Sequence, residues 1–230
     1  MLGYCKAGGQ VVRRFWVPVG NKDYSTVVAS IPDDIDAIFV ALGGSDAINF
    51  LRQYEQAGGD KPMVGGSVTV DQSVLGSKGR LKKYMIGTIS GNPIADSWDD
   101  PRWKKFVAAY REAFPDGFPS PSLFAWGYYV STLACLTGLD KVNGDLSDNQ
   151  KAYRDTLSKL VLDTPTGTVR LDENRQAICD IFITEVTLGQ DGNLYSKVVK
   201  IVHQVNQTLG MDRDEFLALG PVGRDNPPCK

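Results

Sequence analysis

Histidine is nearly absent from this chain of 230 residues: His203 stands alone. The four cysteines, Cys5, Cys135, Cys179 and Cys229, are scattered with no C-x-x-C, and one histidine cannot complete them into a zinc site, so no metal centre is expected. They are either buried thiols or one or two long-range disulfides. Cys135, on the apolar face of a predicted helix, suits a buried thiol. Cys229 ends a Pro-rich tail, and in an oxidising compartment a bond to Cys5 or to Cys179 would tether that tail, contributing about 2–4 kcal/mol. There is no G-x-S-x-G, no P-loop and no H-E-x-x-H, and Gly43-Gly44-Ser45 lacks the later glycine of a dinucleotide fingerprint. A Ser/His/Asp triad would have to reach His203 on a predicted edge strand. Enzyme chemistry and a bound cofactor are therefore not expected. Charge of one sign is lacking too: net charge is −2, and no basic run exceeds Lys82-Lys83 or Lys104-Lys105, which excludes a nucleic-acid or anionic-membrane footprint. No apolar run is long enough to span a bilayer, and MLGYCKAGG has neither a basic n-region nor a long apolar h-region, so no export signal or direct membrane insertion is expected of the chain as written.

What is present is 42% apolar residues, enough to bury a core in one large domain or two small ones. The chain is organised around residues 36–66, DAIFVALGGSDAINFLRQYEQAGGDKPMVGG. Residues 37–42 form an unbroken apolar run, which predicts a strand buried on both faces. Gly43 and Gly44 break it, and Ser45 can cap a helix with Ala47, Phe50, Leu51, Tyr54 and Ala57 at i, i+3, i+4, i+7 spacing, stopped by Gly58-Gly59. Met63 and Val64 open a second strand. In open parallel sheets ligands lie beyond the carboxyl ends of the strands, here residues 43–46 and 66–70.

The chain opens with the last turns of a helix, stopped by Gly8-Gly9, and residues 11–17 then predict a strand. Asp23 can cap a short helix ending before Pro32. A further short helix is expected over 71–78 and a strand over 84–89. Asp100-Pro101 starts a periodic helix with Trp103, Phe106, Val107 and Tyr110 inward. After a Pro/Gly-rich break at 114–121, a second helix over 122–137 is apolar around much of its circumference. A third runs from the loop at 143–148 to about Leu162, and 164–167 turns the chain. Residues 177–186 and 194–205 predict a hairpin around 189–192, and 220–230 a surface tail. Carboxylate pairs such as Asp33-Asp34 and Asp99-Asp100 fall at turns and helix starts, where capping accounts for them.

Several motifs, taken in order, resemble a known family: V-V-x-x-F-x-V-P, D-Y-S-T-V-V, D-A-I-F-V-A-L-G-G-S-D-A, G-G-D-K-P-M-V-G-G, P-S-L-F-A-W-G-Y-Y and G-T-V-R-L-D-E-N-R-Q. Together, over nearly the whole of residues 3–205, they resemble the branched-chain amino-acid (Leu/Ile/Val-binding-like) type of periplasmic substrate-binding protein, the clamshell receptors of ABC importers. The resemblance implies an α/β type I clamshell: two lobes of parallel sheet flanked by helices, three crossings between them, and a ligand in the cleft. It also implies that the sequence corresponds to the C-terminal portion, with Met1 part way along a helix and the N-terminal part of the first lobe missing. Residues 1–83, completed by about 186–210, would be the second lobe, 84–185 part of the first lobe with hinge crossings, and 211–230 a tail.

The resemblance further implies a periplasmic, non-enzymatic protein that takes a small-molecule solute and delivers it to a membrane permease. Its ligand contacts fall on Gly44, Ser45, Ser67, Val68 and Phe124, with Trp126 following; Ser45 read from the residues alone is a helix cap, and Phe124 and Trp126 core. Where amino-acid receptors place an acidic residue for the ammonium, this chain has Ser67. A neutral hydroxyl with aromatic walls suits a carboxylic acid lacking an amine, aromatic acids included. Two other classes remain open: a ligand-sensing regulatory module on the same clamshell, and a flavodoxin-like enzyme, for which the strand ends offer chiefly Asp46 and Asp71.

Overall fold

In the computed structural model, which describes residues 2–77 and 82–226, the first part of the chain alternates helix and strand. A helical turn, α1 (Leu2–Lys6), leads to an extended segment, then α2 (Ser25–Ala29), β1 (Ile38–Val40), α3 (Gly44–Gln56), β2 (Met63–Gly65), α4 (Gln72–Leu75), α5 (Lys82–Met85) and β3 (Ile89–Asn92). β1, β2 and β3 are parallel neighbours, with Phe39, Val64 and Ile89 in one row. Three long helices follow, α6 (Pro101–Ala113), α7 (Leu123–Lys141) and α8 (Ser147–Ser158), then β4 (Val161–Thr164), β5 (Gly167–Leu171), the hairpin of β6 (Ala177–Leu188) and β7 (Leu194–Val205), and α9 (Arg213–Ala218).

β6 ties the molecule together. Near its start it pairs with β5 through Ile178 and Arg170, further along it runs antiparallel to β3 from Phe182 to Glu185, and its other edge is taken by β7. Two hydrophobic clusters form beside it. One gathers Tyr24, Val40, Phe50, Leu51, Tyr54, Met63, Val74 and Met85 with Val186 and Leu194. The other gathers Ile94, Trp103, Trp126, Val130, Leu160, Leu162 and Val169, with Cys179 packed against it.

Four expectations need correction. Residues 11–17 form no ladder. A strand needs a neighbour, and this segment lies instead against the tail, with Arg14 Nη1 donating to Arg224 O at 2.9 Å and the Arg224 guanidinium over the Trp16 ring. The strand over 37–42 shrinks to β1 and is buried on one face only: Val40 is 3% exposed and Phe39 67%, because α3 covers one side of the sheet and no described element covers the other. The strand expected over 84–89 starts only at Ile89. α5 runs to Met85, and Gly87, at φ +85°, makes the turn that a side chain would strain. The third helix stops at Ser158, after which Val161–Thr164 alternate exposed and buried, the period of a strand, and pair with β5. The expected surface tail is preceded by α9, capped by Asp212 through the amides of Asp214 and Glu215.

Of the cysteines, Cys135 and Cys179 are free. Cys135 is exposed, because the face of α7 that carries it is uncovered, and Cys179 keeps its thiol half-buried against the second cluster, so the pairing of Cys229 with Cys179 is set aside. Cys5 is disulfide-bonded. Cys229 lies outside the described residues.

Candidate functional site

The loops beyond β1 and β2 are built into one another. Gly66 N–H donates to Val40 O at 2.7 Å, and the buried Thr69 hydroxyl sits 2.8 Å from Val40 O and 2.7 Å from Leu42 O, so one side chain holds both loops. A Cβ on Gly43 would come within 3.0 Å of the Val68 Cβ, which is why the close approach of the two loops needs glycine there. Gly43, extended, is the N-cap position of α3, and Gly44, at φ +51°, is its first residue. Ser45, expected as the cap, is instead an exposed second residue of the helix, and no side chain caps α3. This uncapped start is the positive end of a thirteen-residue helix, with Asp46 in its first turn. Asp46 accepts Gly20 N–H at 2.9 Å.

Ser67 and Val68 are half-buried. Ser67 is anchored by its carbonyl, which accepts Asn92 Nδ2 from the end of β3 at 3.4 Å. Asp71 caps α4 by accepting Ser73 N–H at 2.9 Å and also accepts Leu123 N–H, the first amide of α7, at 2.5 Å. The Ser67–Val68 loop is thereby brought to the helix that carries Phe124, which is 54% exposed. Trp126 is not brought there: it is 8% exposed in the second cluster, with no partner for its indole N–H among the described residues. Asp46 and Asp71, the carboxylates on which a flavodoxin-like enzyme would depend, both serve backbone amides. A cavity of about 560 Å³ between Asp33, Gln53, Tyr54, Asp60 and Lys61 lies at the opposite ends of β1 and β2 from these loops.

A family profile described as periplasmic binding protein matches residues 4–193. The chain belongs to the periplasmic binding protein family. It is 26% identical over 207 residues to Leu/Ile/Val-binding protein homolog 6 of Brucella melitensis, covering 86% of this chain and 50% of that protein. Among solved structures it matches an ABC transporter substrate-binding protein from Sphaerobacter thermophilus at 26% identity and TM-score 0.75, covering 86% of this chain and 54% of the other. A solute binding protein of Rhodopseudomonas palustris, solved with 3,4-dihydroxybenzoic acid, matches at 24% identity and TM-score 0.78, covering 88% and 55%. The chain thus spans about half the length of the curated relatives it matches. Family and fold are those of binding proteins, and the architecture is that of type I members. No helix among the described residues is long and apolar enough to cross a membrane.

Sequence reasoning missed the polar cluster behind the loops of this periplasmic binding protein. Asp96, in the connection from β3 to α6, accepts Gln72 Nε2 at 2.9 Å, Ser196 N–H at 2.7 Å and Ser196 Oγ–H at 2.9 Å through one oxygen. Burial pushes its carboxyl above the ordinary range, against the hydrogen bonds that favour the charged form. The signal available was only D-Q-S after an apolar run, which marks a helix cap at Asp71 and says nothing of Asp96. A carboxyl whose folded-state value is raised binds a proton more tightly in the folded than in the unfolded chain. Its contribution is full below the unfolded value, about 3.9, and is lost as pH rises through the folded one. Urea midpoints are therefore expected to rise as pH falls from neutrality toward about 4 by more in the parent chain than in Asp96→Asn. Identical pH slopes in the two proteins would assign the trend to other groups.

Proposed function

We propose that the chain is the solute-binding part of an extracytoplasmic receptor of an ABC importer, taking a small carboxylic acid or an amino-acid-like solute between two lobes and passing it to a membrane permease. The observation that carries the reading is the joining of Ser67 and Val68 to Phe124 through Asp71 at the carboxyl ends of β1 and β2. The lobes are taken as residues 1–83 with about 186–210, and 84–185. What supports this division is that Val186 and Leu194 pack with residues 24–85, whereas residues 94–179 supply the second cluster. Gly44 and Ser45 add the uncapped start of α3 as a wall that favours negative charge.

Relatives inform the solute class. Rhodopseudomonas palustris proteins of this fold are solved with benzoate and with 4-hydroxybenzoate, and another neighbour is the leucine-, isoleucine-, valine-, threonine- and alanine-binding protein of Brucella ovis. Ser67 supports the acids: a hydroxyl stands where an ammonium would want a carboxylate. Ser67→Glu is expected to move preference toward ammonium-bearing solutes, because a carboxylate in a partly desolvated site needs a cationic partner. NMR titration of both proteins with 4-hydroxybenzoate and leucine reads the ranking. An unchanged order would place Ser67 outside the solute site.

A further inference from the structure

Asp71 is 1% exposed, and among the described residues its two oxygens are spent on two helices. Oδ2 accepts Ser73 N–H in the first turn of α4, and Oδ1 accepts the N–H of Leu123, the first residue of α7. These helices belong to different clusters, since Val74 and Leu75 of α4 pack in the first and Trp126 and Val130 of α7 in the second. One carboxylate thus accepts the first-turn amides of two helices, satisfying donors that neither helix pairs internally. Four residues before it stands Ser67, and one residue after its second partner stands Phe124. The next residue repeats the link, Gln72 Nε2 reaching Asp96 ahead of α6. Ser122 already satisfies Ala125 N–H, so α7 does not need Asp71 for its cap; what Asp71 adds is the tie to the other loop.

We infer that Asp71 is a positioning residue that fixes the spacing between the Ser67–Val68 wall and the Phe124 wall, so that the two engage solute as one unit. The inference rests on the solute-binding reading above. Asparagine at this position offers one acceptor oxygen and must release one helix. Leu123→Pro removes the other half of the bond: proline is tolerated at the first helical position, and Ser122, at ψ 161°, already has the extended backbone that precedes a proline.

Two arms test it on the 230-residue chain, with Asp100→Asn, which alters the α6 cap and its pairing with Arg102 but neither α4 nor α7, as control. In the first arm, which needs no ligand, amide exchange at Leu123 is expected to be slow in the parent and about tenfold or more faster in Asp71→Asn, with Ala125 unchanged. Phe124→Ala is expected to shift the amide resonances of Ser67 and Val68 in the parent and in Asp100→Asn, but not in Asp71→Asn or Leu123→Pro. In the second arm, NMR titration with 4-hydroxybenzoate is expected to show Asp71→Asn about tenfold weaker than the parent. Phe124→Ala should then cost less in that background than in the parent, a non-additivity that a purely structural role does not produce. Rapid exchange at Leu123 in the parent, or cross-shifts that survive both variants, overturns the tie. Parent affinity in Asp71→Asn, or additive losses, overturns the positioning role. Absence of any shift in the parent even at millimolar 4-hydroxybenzoate or leucine, where the weakened binding expected of this chain would still register, overturns the solute reading with the first arm as expected and leaves the tie standing.

Discussion

Residues 1–230 on their own are expected to sediment as a concentration-dependent mixture of oligomers and to hold their solute weakly. The reason lies in the open face of the sheet. Phe39, Val64 and Ile89 stand side by side across β1, β2 and β3 and are 67%, 40% and 38% exposed. Parallel strands of α/β proteins are ordinarily covered on both faces, and here α3 and its neighbours cover one. α7 adds a second uncovered stripe, with Phe124 54%, Tyr128 77% and Leu136 60% exposed. A contiguous apolar surface of this kind drives association. On the proposed function weak binding follows as well, because the relatives matched here are about twice as long and a clamshell takes its affinity from both lobes. Each charge-assisted hydrogen bond that a second set of loops would supply is worth about 1.5–3 kcal/mol, so two or three of them amount to several powers of ten. Phe39→Lys combined with Val64→Thr should shift the distribution toward monomer without touching the loops at 43–46 and 66–70. Sedimentation velocity and calorimetry decide: a monodisperse monomer with micromolar or tighter affinity would show that these residues form a complete receptor.

Phe182→Ala is expected to lose about 3–5 kcal/mol, the range for emptying a buried aromatic site. Phe182 is fully buried at the middle of β6, opposite Asn92 on β3 and Ile201 on β7, and its ring lies 5.1 Å from that of Trp98. It falls where β6 passes from β5 to β3, between the two clusters, so the cavity weakens both sides of the crossing at once. Against a total stability of about 5–15 kcal/mol this is a large fraction, and a urea curve should show a single transition at a much lower midpoint. Phe182→Leu, which refills most of the space, should lose less. Two separate transitions in Phe182→Ala, one unmoved from the parent, would mean that the clusters fold independently of the crossing strand.

Some of this architecture was legible in one dimension because it is local. The apolar run before Gly43-Gly44, the i, i+4 spacing of Phe50 and Tyr54, the Asp100-Pro101 start of α6 and the Gly-rich turn of the β6–β7 hairpin each follow from backbone sterics and hydrophobic periodicity within a short window. The placing of the candidate site at residues 43–46 and 66–70 was equally legible, since the order of strand and helix alone determines where parallel strands end together. The rest depended on partners far away in the chain. Residues 11–17 have the composition of a strand but no strand beside them to receive their hydrogen bonds. Residues 37–42 are apolar enough for burial on both faces, yet whether Phe39 is covered depends on a layer that no local pattern encodes. Phe124 and Trp126, two residues apart, diverged because a helix turns about 200° over that interval, exposing one and burying the other. Leu123 meets Asp71 across 52 residues and Asp96 meets Ser196 across 100, and such contacts exist only once the two clusters have closed against β6. Sequence therefore determined the local elements and the end of the sheet at which the loops at 43–46 and 66–70 lie together, while tertiary structure alone decided which polar side chains hold those loops, because those hydrogen bonds form between segments that only folding brings within 3 Å.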